Sequence, residues 1–140
     1  MNETPKLYDY QQEAVDWIKN RKTGLLALDM GLGKSGIALC AAKSSGVKSI
    51  LVICPAIAVS NWENEFRKWQ AAEIPHKVVS YNQAVVMNGL DRTALRSETD
   101  NYDLLIVDEA HFLKNFEAQR TKAILGKSGI IRRCNRTWAL

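Results

Sequence analysis

Residues 102–111 read YDLLIVDEAH, an apolar run from Leu104 to Val107 that ends in two acids. A short run of this kind without polar alternation is how a strand buried on both faces reads, and such strands belong to parallel sheets covered by helices. Open parallel sheets place their ligands beyond the carboxyl ends of the strands, which is where Asp108 and Glu109 fall. Two acids and a histidine that merely solvate a strand end would look the same in isolation.

A second stretch, LLALDMGLGKS at residues 25–35, sharpens the choice. GLLALD reads as another buried strand. KSGIALCAAKSS, rich in small residues and ending near Gly46, reads as a helix packed closely on a sheet. Between them lies the loop Met30, Gly31, Leu32, Gly33, Lys34, Ser35. Its glycines let backbone amides turn toward an anion, and the following helix offers its positive N-terminal end. On this reading Lys34 reaches the terminal phosphates of a nucleotide and the Ser35 hydroxyl holds Mg2+. Asp108 holds the same ion through its water shell, and Glu109 orients or deprotonates the attacking water. Phosphate loops usually carry a glycine six residues ahead of the lysine, and here that position is Leu28. A plain glycine turn with an exposed lysine is the competing account, but two half-sites in order, each after a strand, are poorly explained by coincidence.

The remaining segments continue the alternation. YQQEAVDWIKNR suggests an amphipathic helix, SILVICP a strand stopped by Pro55, and HKVVSY a short strand. In SNWENEFRKWQ, Ser60 or Asn61 is a capping candidate, and Trp62, Phe66 and Trp69 fall on one inward-facing side. The polar stretch MNGLDRTALRSETDN reads as helix fragments and loop, followed by one more helix. RTWAL, residues 136–140, reads as a last strand, either at a sheet edge or where the chain is cut short, and an apolar edge there would invite self-association. The whole predicts an α/β domain with a mostly parallel central sheet and helices on both faces.

Composition narrows the classes. A chain of 140 residues supports one domain, and 46% hydrophobic with 24% charged residues is ordinary for a globular protein. No apolar run approaches the ~20 residues that span a bilayer, and the start lacks a secretory layout, so a cytoplasmic protein with no membrane partner is expected. Cys40, Cys54 and Cys134 are widely spaced and read as free thiols. The net charge of +4 is compatible with nucleic acid without requiring it.

DMGLGKS, LVICPAIAVSNWENEFRKW and IVDEAHFLKN together resemble the first motor lobe of superfamily-two helicases, specifically the Swi/Snf-like double-stranded DNA translocases. That family's loop also lacks the first glycine, which accounts for Leu28. The resemblance implies a three-layer RecA-like P-loop NTPase lobe with Walker A and DEAH-box motifs, using ATP and Mg2+. LYDYQQEAVDWI looks like the family's adenine-recognition segment, with Gln11 in the glutamine's place, although Asp9 stands where proline is usual. CPAIAVSNW looks like motif Ia and VVSYNQ like the next, DNA-facing motif. Phe112 stands where the family often has arginine.

The expectation is therefore an ATP-binding lobe, residues 1–140, of a helicase or translocase moving on duplex DNA. It is incomplete before coupling motif III, lacks the second RecA-like lobe with its arginine finger, and alone is inactive or very slow. The expected catalytic residues are Lys34, Asp108 and Glu109, with His111 coupling nucleotide to motion. Expected nucleic-acid contacts are Ser80, Tyr81, Asn82 and Lys114, of which Tyr81 fits core packing equally and Lys114 could simply solvate a helix start. A truncated, non-catalytic module that binds nucleotide or nucleic acid, and an RNA-directed relative, are the competing readings. The lean layout suggests a bacterial or phage source, and a nuclear protein if it is eukaryotic.

Overall fold

The computed structural model describes residues 5–26, 33–91, 102–113, 119–125 and 129–140. Among these residues, five parallel strands form one sheet: β1 (Thr23–Leu25), β2 (Ile50–Cys54), β3 (His76–Ser80), β4 (Leu104–Val107) and β5 (Arg136–Ala139). They lie in the order β1-β5-β4-β2-β3. Helices α1 (Asp9–Ile18), α2 (Lys34–Ser44), α3 (Val59–Lys68), α4 (Tyr81–Asp91) and α5 (Gln119–Leu125) connect or flank them.

The sheet is buried on both sides, which is why β2 and β4 are uniformly apolar: every residue of either strand is buried. Successive side chains still point to opposite faces. Ile50, Val52, Leu104 and Ile106 join a core with α1, α2 and α3, whereas Leu51, Ile53, Leu105 and Val107 join a second core with Tyr81, Ala84, Met87 and Ile124. Three layers result, as the sequence predicts.

Several local expectations change. The final strand is not an edge: β5 pairs with β1 on one side and β4 on the other, so RTWAL offers no open edge for self-association. The sheet's edges are β1 and β3. Neither Ser60 nor Asn61 caps α3. A single 3₁₀ turn at Ala56–Ala58 follows Pro55 and runs into the helix, so both residues lie within its first turn. Asp9, in the place where proline is usual, is the first helical residue of α1. Proline is favoured there for its fixed φ, and an acid suits the same position because it faces the helix's positive end.

Helix α2 ends where glycine demands it. Gly46 has φ +70, and the bonds Gly46 N–H to Lys43 O (3.3 Å) and Val47 N–H to Ala42 O (3.1 Å) close a Schellman motif. Fixing that end fixes the direction of the helix, and hence where its N-terminus meets the sheet.

Candidate nucleotide site

The carboxyl ends of the parallel strands form a cleft of about 360 Å³ lined by Gly33, Lys34, Ser35, Asn61, Trp62, Asp108 and Glu109. Residues 75 positions apart in sequence meet here because α2 begins at Lys34 and β4 ends at Val107 on the same rim of the sheet. Met30, Gly31, Leu32 and Lys114 lie outside the described residues.

Gly33 precedes α2 with φ +75, a left-handed conformation that side chains disfavour. A Cβ there would also lie 2.6 Å from Gln11 Nε2, so the backbone passes directly beneath that amide. Gln11 is buried, and its Oε1 accepts a hydrogen bond from Tyr8 N–H at 2.9 Å. The glutamine is thereby placed beside the backbone of Gly33, at the start of α2.

The acidic turn is held from several directions. Asp108 N–H donates to Ile53 O at 2.8 Å, and Ala110 N–H to Leu140 O at 3.3 Å. The Tyr81 hydroxyl donates to Asp108 O at 2.7 Å and approaches Glu109 O at 3.2 Å. Trp62 Nε1–H donates to Asp108 Oδ2 at 2.8 Å. Glu109 has φ +56, a left-handed backbone that costs a non-glycine residue on the order of 1–3 kcal/mol and that these bonds sustain. His111 Nδ1 lies 3.2 Å from Glu109 Oε2. Beneath the turn, burial foremost and the nearby Asp108 charge push the Cys54 thiol up to about 12, so it stays protonated and inert. All three cysteines are free, as their spacing suggests.

The loop after β3 is arranged differently. Ser80 Oγ accepts from Gln83 N–H at 3.1 Å, while Ser80 N–H donates to Gln83 Oε1 at 2.8 Å, a reciprocal capping box that starts α4. Tyr81 is buried, and Asn82 alone of the three is exposed. Sequence reasoning treated Asn61 as a cap and Trp62 as core packing, missing that both line the cleft. The signal was available for Trp62: a buried indole N–H needs an acceptor, and α3 starts near the strand ends.

The donor set suits a magnesium nucleotide. A helix N-terminus, a lysine, a hydroxyl and one carboxylate are the hard, oxygen-rich surroundings that Mg2+ shares with phosphates, and the cleft has room for both. Among the described residues, no group of three or more His, Cys, Asp or Glu side chains is arranged to hold a metal by itself. No helix among them is long and apolar enough to cross a membrane.

Comparison with known proteins agrees with this fold. The Neurospora crassa helicase swr-1 is 33% identical over 86% of this chain, which spans 8% of that relative's length. A Mycoplasma pneumoniae protein described as an uncharacterized ATP-dependent helicase is 32% identical over 84% of this chain, matching 14% of its own length. The Sulfolobus solfataricus SWI2/SNF2 ATPase core, solved in complex with dsDNA, superposes with a TM-score of 0.75 at 22% identity, covering 99% of this chain and 32% of that one, which establishes the fold. The fungal relative gives no support to the bacterial or phage source that the lean layout suggests. A family model described as the SNF2-related domain matches residues 10–86, from α1 through the Ser80–Gln83 cap into α4, and so the chain with this cleft belongs to the SNF2-related domain family.

Proposed function

We propose that this chain is the ATP-binding lobe of a Swi/Snf-like translocase that couples ATP hydrolysis to movement on duplex DNA. The observation that carries the reading is the single cleft shared by Lys34 and Ser35 from one strand–helix junction and Asp108 and Glu109 from another. Family membership supports it, as does the dsDNA-bound state of the Sulfolobus core.

The amides at the start of α2 and the Lys34 ammonium bind the phosphates. The residues that would hold Mg2+ are the Ser35 hydroxyl and the Asp108 carboxylate; the ion would supply neutralisation of phosphate charge. Glu109 orients the attacking water and accepts its proton. His111, within 3.2 Å of Glu109, registers the state of that acid and passes it toward the coupling segments. The backbone at Gly33 lines the phosphates, and Gln11 reads the base edge.

No arginine lines the cleft among the described residues; one supplied by a second lobe would add transition-state charge worth a factor of ~10³ to 10⁵ in related chemistry. Duplex DNA is the proposed track, gripped through its phosphates without reading sequence. Ser80 and Tyr81 are engaged within the protein through their side chains, so the contact at this loop falls to its backbone and to Asn82, with Lys114 a further candidate.

Calorimetric titration with Mg2+·ATP and Mg2+·ADP, alongside Lys34→Ala, tests the reading. Binding by the wild type that the substitution abolishes supports it. A folded wild type that binds neither nucleotide overturns it.

A further inference from the structure

Three tryptophans bury their rings and find acceptors for their indole N–H groups, and the acceptors differ. Trp138 donates to the backbone carbonyl of Arg21 at 2.9 Å, and Trp69 to Glu65 Oε2 at 2.8 Å, one turn back on α3. Trp62 instead reaches across to Asp108 Oδ2 at 2.8 Å, on an element 46 residues away. A backbone carbonyl would satisfy a buried indole equally well. The choice of this carboxylate therefore calls for an explanation beyond packing.

We infer that Trp62 is a positioning residue for the magnesium site: its indole N–H fixes the Asp108 carboxylate so that the second oxygen is presented to the metal's water shell. The inference rests on reading the cleft as a magnesium-nucleotide site. The ring itself cannot drift, being 2% exposed and packed against Phe66 with centroids 6.3 Å apart. Its donor is neutral, so the carboxylate is held without a positive charge beside it to compete with the cation, as a lysine or arginine would. The Tyr81 hydroxyl fixes the same residue through its backbone at 2.7 Å. Backbone and side chain of Asp108 are thus both set before a ligand arrives, which is how an outer partner raises metal affinity without touching the metal.

Trp62→Phe keeps an aromatic filler and removes the donor. ADP is titrated into wild type and variant, once with EDTA and once with Mg2+, and the indole Nε1–H cross-peaks are followed by ¹⁵N NMR. We expect unchanged metal-free ADP affinity and a loss of roughly 10- to 100-fold in the strengthening that Mg2+ confers. In the wild type, the Trp62 cross-peak moves when Mg2+ is added to the ADP-bound protein, and that of Trp138 does not. A purely structural role predicts equal weakening with and without metal and a stationary Trp62 cross-peak; either result overturns the inference. Should the variant not fold, the wild-type cross-peak decides. Lys34→Ala separates the two levels. If wild type binds ADP, Lys34→Ala abolishes it and Trp62→Phe has no effect on the Mg2+ dependence, the inference alone fails. If wild type binds no ADP under either condition, the nucleotide reading fails and the inference with it.

Discussion

Two turns leave β3 and β4, the strands on either side of β2, at the same end of the sheet, and they use their polar groups in different ways. After β3, Ser80 and Gln83 bond reciprocally to start α4. After β4, Asp108 and Glu109 line an open cleft. Tyr81 joins the two, rooted in the first turn and bonded to the backbone of the second. A turn at the ligand end of a sheet is therefore not automatically a site. What matters is whether its side chains line a cleft or close on each other, and Tyr81 ties the closed turn to the backbone of the open one.

The largest test of that link is Tyr81→Ala. Removing a buried aromatic should cost about 3–5 kcal/mol in urea unfolding and shift the environment of Asp108. Tyr81→Phe sharpens it: the ring stays and only the hydroxyl goes, with a loss of about 1–2 kcal/mol because two backbone carbonyls lose their donor. A loss under ~0.5 kcal/mol would show that the turns are independent. Ser80→Ala removes the cap and should cost about 1 kcal/mol while leaving nucleotide binding intact, which calorimetry checks directly. Glu109→Gly should move stability the other way, a gain of roughly 0.5–1 kcal/mol by thermal unfolding, since glycine accepts φ +56 without strain; the same change removes the proposed base and should abolish turnover in a two-lobed protein. Asn82→Ala should change stability by less than ~0.5 kcal/mol, being exposed, yet weaken binding of duplex DNA in a two-lobed protein; unchanged DNA affinity would remove it from the proposed track.

Much of the site was legible because its parts are local. Glycine and lysine ahead of a small-residue helix, and acids after an apolar run, are patterns each confined to a short stretch of sequence, and the structure brings Lys34, Ser35, Asp108 and Glu109 to one cleft. Trp62 was hidden for the opposite reason. Its spacing with Phe66 and Trp69 announces a buried face, which is correct, but the destination of one N–H depends on how α3 lies across the sheet. Tyr81 offered two readings, and burial with a bonded hydroxyl shows how its side chain is used.

The sequence by itself determined the alternation of strands and helices, the double-sided burial of β2 and β4, and the residue types at the two strand ends, because side-chain periodicity and backbone preferences act over a few residues. Only the tertiary structure decided that the last strand in sequence lies between β1 and β4, and that an indole and a phenol hold the acidic turn. Strand order and such contacts join residues tens of positions apart. They are settled by which packing of the whole buries the apolar faces and satisfies every buried N–H at once, and no local pattern carries that information.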